Sequence, residues 1–242
     1  MKKAKSKILA LTLMLIAACS LACNETAVAV NDVPNIEPQT TAPADPIQTL
    51  TPEQKVKEAG LVELTRLEPS IKLDIRYATT NNFVGKVIYK EARAFMQRPA
   101  ADTIARIHRK LKDQGIGLVI FDGYRPLSAT KIFWEVTPAN KKQFVADPKN
   151  GSRHNRGCAV DLSLFDLKTG ENLDMPTDFD DFTAKAAIDY SGATDAQKKN
   201  RQTLRKAMES DGFKVYATEW WHYDFQECPE NRILNVPFSE IE

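Results

Sequence analysis

The chain has 242 residues, with 33 basic against 32 acidic side chains and a formal charge of +1. So even a balance gives no electrostatic case for nucleic acid or an acidic surface as partner. Apolar residues make up 43%, ordinary for a globular protein, and the four cysteines, at 19, 23, 158 and 228, form no paired CxxC pattern of the zinc-ribbon kind.

The N-terminus reads as an export segment. Four lysines fall within Met1–Lys7, and the apolar run Ile8–Ala18 is too short to span a bilayer comfortably. Ile16-Ala17-Ala18-Cys19 is similar to a bacterial lipobox, in which the cysteine is acylated; a plain signal peptide cut near Ala22 is the alternative. Residues 1–23 are therefore expected to be a signal. Any membrane contact would run through a lipid on Cys19, and the mature protein would sit in the periplasm or on the outer membrane. Residues 24–52 carry Pro34, Pro38, Pro43, Pro46 and Pro52 among Thr, Ala and Asn, and read as a disordered tether. Residues 53–242 then form one domain.

Within that domain, Leu61–Leu64 and Ile71–Tyr77 read as strands, the second alternating through Ile71, Leu73, Ile75 and Tyr77. Ala101–Gln114 reads as a helix with a stripe of Ile104, Ile107 and Leu111 and a stop at Gly115. His108 falls beside that stripe as a boundary residue with no second ligand type near it. Gly117–Phe121 suits a buried strand, and the turn Asp122-Gly123-Tyr124-Arg125-Pro126 presents Arg125 beyond its end. Ser128 is placed to cap a helix running to about Val136, and a short helix is expected over 141–146. Ala159–Leu164 reads as a strand with Val160, Leu162 and Leu164 on one face and Asp161 on the other. Thr194–Ser210 is helical, and Phe213–Phe225 gives one or two strands. Together these predict an α+β fold, a central antiparallel sheet with helices mainly on one side.

Two stretches carry the chemistry. Ser152-Arg153-His154-Asn155-Arg156-Gly157-Cys158-Ala159-Val160-Asp161 and Glu219-Trp220-Trp221-His222 hold two of the three histidines, each with an acid nearby. Zinc in hydrolases takes three protein ligands and leaves a position for water. His154, Asp161 and His222 supply two imidazoles and a carboxylate suited to that ion. Glu219 is left as the proton carrier, and Arg125 as the fixed positive charge beside a developing oxyanion. Glu219 and His222 have opposite parity on a regular strand, so a shared site demands an irregularity at Trp220 or Trp221.

Ser152-x-His154-x-x-Gly157-x-Ala159-x-Asp161 with Glu219-x-Trp221-His222 resembles the signature of the zinc D-alanyl-D-alanine dipeptidases, relatives of the D,D-carboxypeptidases and Hedgehog-like domains. Leu73-Asp74-Ile75-Arg76-Tyr77-Ala78-Thr79, Asn82-Phe83-x-Gly85-Lys86 and Asp122–Pro126 are similar to segments of the dipeptidase branch. The resemblance implies one zinc on His154, Asp161 and His222, acid/base work by Glu219 and transition-state support from Arg125. It also implies a substrate-ammonium contact from Asp180, pocket roles for Tyr77 and Ser152, and a small D,D-dipeptide as substrate. The chain departs from the family at Pro176, where glycine is usual, at Cys158, where a small residue other than cysteine is common, and in its export signal. Export fits turnover or salvage of wall-derived dipeptide better than the cytosolic resistance role. Cys158 and Cys228 are expected either to pair or to stay as buried thiols. The competing expectations are a D,D- or L,D-carboxypeptidase acting on stem peptides and an inactive zinc-bearing wall-binding module. The retained Glu219 weighs against the module.

Overall fold

The computed structural model describes residues 59–230 and 232–241. The expected signal and tether lie outside the described residues. Among those residues no helix is long and apolar enough to cross a membrane.

The two apolar runs pair at the middle of the sheet. β4 (Ile116–Asp122) and β5 (Ala159–Asp166) lie antiparallel, with Leu118 opposite Leu164 and Ile120 opposite Leu162. Both are buried almost throughout, as near-continuous apolar strands should be. β7 (Glu219–Phe225) pairs with the other side of β5, β6 (Phe213–Tyr216) forms one edge, and β2 (Lys72–Leu73) joins β4 in parallel at the other. This last pair is the one departure from the expected antiparallel sheet. A separate two-stranded ladder joins β1 (Leu61–Glu63) to β3 (Phe95–Gln97), with the short helix α1 (Leu64–Leu67) between them in sequence.

Two long helices cover one face. α2 (Arg98–Lys112) packs on β4 with Ile104, Ile107 and Leu111 buried, and α4 (Asp195–Glu209) packs on β5, β6 and β7 with Leu204 and Met208 buried. The two helices touch each other. α4 starts on a capping box in which Thr194 accepts from the Gln197 N–H and the Gln197 side chain reaches back. α3 (Leu127–Val136) leaves the loop after β4 and lies beside the site described below.

Alternation decides which side chains reach that site. Val160 stands directly opposite Tyr223, which is buried and feels the charges of Glu209, Arg205 and Arg201 on α4, so this pair faces the helices. Asp161 stands opposite His222 and therefore projects from the other face.

Four local expectations are corrected. Ile71–Tyr77 pairs only at β2, then turns through a 3-10 helix at Arg76–Ala78. The Asn82 side-chain amide donates to the Arg76, Thr79 and Lys86 carbonyls, so a side chain replaces a strand partner. Ser128 is not the cap of α3: the helix starts at Leu127 after Pro126, and the Ser128 N–H donates to Asn235 Oδ1 at 2.8 Å. His108 is fully buried rather than peripheral. Its Nδ1 accepts from the Leu118 N–H at 3.0 Å, tying α2 to β4, and burial lowers its pKa. The short helix expected over 141–146 is a 3-10 helix at Ala139–Phe144.

Candidate active site

Asp161 reaches the site from β5, His222 from β7, and His154 from a 3-10 turn at His154–Arg156. That turn closes on Gly157, whose φ of +69° needs a residue without a Cβ; a Cβ there would also lie 2.6 Å from a Leu61 methyl. Asn155 holds the turn from inside. It accepts from the Ser152 N–H at 2.7 Å and donates to the Arg125 carbonyl and Thr130 Oγ1, each at 2.8 Å.

The three donors converge. His154 Nε2 lies 3.1 Å from His222 Nδ1 and 3.3 Å from Asp161 Oδ2, and His222 Nδ1 lies 3.0 Å from Asp161 Oδ1. One ligand atom from each residue falls within 4.8 Å of the others. The outer nitrogens fix the tautomers. His154 Nδ1 faces the Gly123 carbonyl at 2.7 Å, which can only accept, so that nitrogen carries the proton. His222 Nε2 faces Asp224 Oδ1 at 3.1 Å with the same result. Two imidazole lone pairs and a carboxylate thus point at one place, a donor set that fits a zinc-like cation.

Without a cation, a proton on His222 Nδ1 takes its place beside Asp161. Burial opposes a charge on His222, yet its contacts with Asp161 and Asp224 and the nearby Glu219 push it up to about 10. Burial would likewise raise Asp161, but the His154 and His222 contacts outweigh it and hold the carboxyl well below the usual range. In the absence of a cation, His222 thus carries the proton that a metal ion bound between His222 and Asp161 would displace.

The hairpin between β6 and β7 supplies the expected irregularity. Tyr216 pairs with Glu219 and Val215 with Tyr223, so Trp220, Trp221 and His222 have no counterpart on β6. The extra residues undo the parity conflict, and Glu219 Oε2 comes to 4.0 Å from His222 Nδ1. Both tryptophans are buried. Trp220 Nε1 donates to Thr177 Oγ1 at 2.9 Å, and Trp221 packs edge-on against Phe179. Burial, with the Asp161 charge, raises the Glu219 pKa.

Arg125 is aimed by an acid that the sequence reading passed over. Asp122, buried at the end of β4, takes Arg125 Nε at 2.8 Å and is itself held by the Tyr89 hydroxyl at 3.0 Å and the Gly123 N–H at 2.9 Å. Arg125 Nη2 then stands 3.5 Å from Asp161 Oδ2, with its guanidinium over the Phe133 ring. Burial would weaken its charge, but the Asp122 carboxylate holds it firmly protonated.

Asp180 sits across the site, despite Pro176 upstream. It is the only non-glycine among the described residues with positive φ, at 60°. Its Oδ2 accepts from the Tyr77 hydroxyl at 2.8 Å. Burial and then the Asp161 charge drive its pKa well above the ordinary carboxylate value. Ser152 also faces this space, its Oγ accepting from the Asn155 N–H at 3.3 Å. Tyr77, Arg125, Ser152, His154, Asp161, Asp180, Glu219 and His222 all line one cavity of about 420 Å³. The sequence reading missed Asp122, Asn155 and Asp224. Only Asp122 had a signal, its place in the same turn as Arg125.

Cys158 and Cys228 are joined by a disulfide, which settles the alternative left open above.

The family described as D-ala-D-ala dipeptidase matches residues 57–241. A D-alanyl-D-alanine dipeptidase of Escherichia coli is 33% identical over 179 residues, covering 74% of this chain and 91% of that protein. One from Enterococcus faecium is 32% identical over 193 residues, 71% of this chain and 94% of that protein. One from Streptomyces coelicolor is 33% identical over 181 residues, 67% of this chain and 90% of that protein. With both motif stretches inside the matched span and nearly the whole length of each relative covered, the chain belongs to the D-alanyl-D-alanine dipeptidase family.

Proposed function

We propose that the chain hydrolyses D-alanyl-D-alanine, with one zinc ion held by His154, Asp161 and His222, and that it acts outside the inner membrane in turnover or salvage of wall-derived dipeptide. The carrying observation is that a donor triad and a half-buried Asp180 carboxyl, shifted toward its neutral form, share one cavity. Bound there, zinc would acidify water and polarise the peptide carbonyl.

The chain's own residues divide the remaining work. Glu219, buried enough to bind a proton more readily than usual, takes one from water and later gives it to the leaving amine. Arg125, locked by Asp122, provides positive charge beside the oxygen that becomes anionic as the carbonyl is attacked. Asp180 receives the substrate's free ammonium, with Tyr77 holding the carboxylate in place. An arriving ammonium relieves the unfavourable charge that burial imposes on Asp180, and a chain blocked at its N-terminus cannot do so. Ser152 contributes a hydroxyl to the cavity wall. Export is supported by the lysine-rich, apolar N-terminus and by the disulfide, since such bridges persist in oxidising compartments. Cys19 is then the acylated residue that holds the tether to a membrane.

The test is release of free D-alanine by the zinc-loaded protein from D-alanyl-D-alanine, its L,L isomer, its N-acetylated form and a stem pentapeptide. Chelator-sensitive release from the free D,D-dipeptide alone is expected. Absence of release with zinc present would overturn the proposal. Release from the pentapeptide and not the dipeptide would assign a carboxypeptidase instead.

A further inference from the structure

Asp224 stands two residues after His222 on β7, so both side chains leave the same face of the strand. Its Oδ1 takes the His222 Nε2 proton at 3.1 Å, on the side of the ring away from Asp161. Nothing in the proposed chemistry uses this carboxylate, and it is not one of the converging donors. Its position is fixed twice over by backbone pairing, opposite Ala159 on β5 and Lys214 on β6.

A second contact ties Asp224 to the other histidine's segment. Arg153, the residue before His154, brings its Nε to 3.9 Å from Asp224 Oδ1. The arginine is held in that place by three links. Its Nη2 donates to the Phe225 carbonyl, its own carbonyl accepts from the Cys158 N–H at 3.1 Å, and the Cys158 carbonyl accepts from the Phe225 N–H at 2.8 Å. The Cys158–Cys228 bridge closes the same bracket. The turn that carries His154 and the strand that carries His222 are thus joined through Arg153 and the backbone of Cys158 and Phe225.

We infer that Asp224 is a positioning residue for the metal: by accepting the Nε2 proton it keeps His222 in the tautomer whose Nδ1 lone pair faces a bound ion. The inference rests on the reading of His154, Asp161 and His222 as metal ligands. Its physical basis is general. A ligating imidazole whose far nitrogen donates to a carboxylate is oriented and made a stronger donor, and losing such a partner costs roughly 10–100-fold in metal affinity.

The experiment is zinc affinity by chelator competition on the full chain, with cobalt(II) absorption as a second readout and thermal melts of the metal-free proteins as a check on folding. Asp224→Ala is expected to weaken zinc binding by roughly 10–100-fold and to change the cobalt band. Asp224→Asn keeps an oxygen that can accept the proton and should recover most of that loss with a near-native band. If Asp224→Ala binds zinc within about twofold of the unaltered protein, or if Ala and Asn lose equally, the tautomer role is overturned. Failure of the unaltered protein to bind zinc would instead strike the triad reading itself. Should the alanine protein not fold, the asparagine protein decides alone: a loss of tenfold or more refutes acceptance of the proton as the cause.

Discussion

Replacing both Cys158 and Cys228 by serine tests how the bridge contributes. The cysteines are 70 residues apart, and the closed loop holds β5, α4, β6 and β7. In the chain-entropy account, a loop of this length removes about 15 cal/mol/K from the unfolded ensemble, or about 4 kcal/mol at room temperature. Native-state adjustment lowers what is realised, so a loss of roughly 2–4 kcal/mol is expected. For a domain of this size that is a fall in Tm of about 5–15 °C. The assay is urea unfolding of the metal-free protein, with and without the bridge. The midpoint should fall and the slope m should rise, because an unbridged chain exposes more surface when it unfolds. Thiol titration under denaturing conditions should find the two bridged cysteines unreactive until reduced. A loss under about 1 kcal/mol with m unchanged would refute the reasoning, since it would mean the unfolded chain gains no freedom from the cut.

Two further outcomes follow from the charges. Glu219→Gln should bind added zinc as tightly as the unaltered protein and lose roughly 10²–10⁴-fold in turnover; near-native turnover would remove Glu219 from the proton's path. In the unaltered protein, activity should fall as the pH drops through a value above the ordinary glutamate pKa, because Glu219 must be ionised to accept a proton and its pKa is raised. Asp180→Asn should abolish cleavage of free dipeptide yet stabilise the metal-free protein above neutral pH by on the order of 1 kcal/mol. The sign follows from linkage. A carboxyl whose folded pKa is raised binds more protons when folded, so its contribution is full below the unfolded pKa and is lost as pH rises through the folded one. Asparagine has nothing to lose. Urea unfolding of both proteins at pH 5 and pH 8 checks it, and an unchanged difference between the two pH values would count against a raised Asp180.

The donor triad was legible because metal chemistry needs particular side chains, and the chain has only three histidines to offer. The bulge at Trp220–His222 was legible for a different reason. Strand parity forbids Glu219 and His222 from sharing a face, so the chemistry dictated the geometry. Asp224 and Asn155 were not legible, because their importance comes from what stands opposite them after folding. An acid at the end of a strand and an asparagine in a turn are common in solvated positions as well. Ile71–Tyr77 misled because alternation measures which side chains are buried. Tyr77 is buried, but through the turn that Asn82 builds rather than on a ladder.

The extra residues in β7 also bear on how molecules of this protein meet one another. β6 is the free edge of the sheet, and an edge invites a second chain to continue the ladder. Here it is four residues long, it carries an exposed lysine, Lys214, and beside it the ladder is interrupted between Val215 and Tyr216. At the far edge β2 offers only two residues. A neighbour would find no straight strand to extend. The distortion that brings Glu219 to His222 also helps keep separate molecules from joining sheet to sheet at high local concentration.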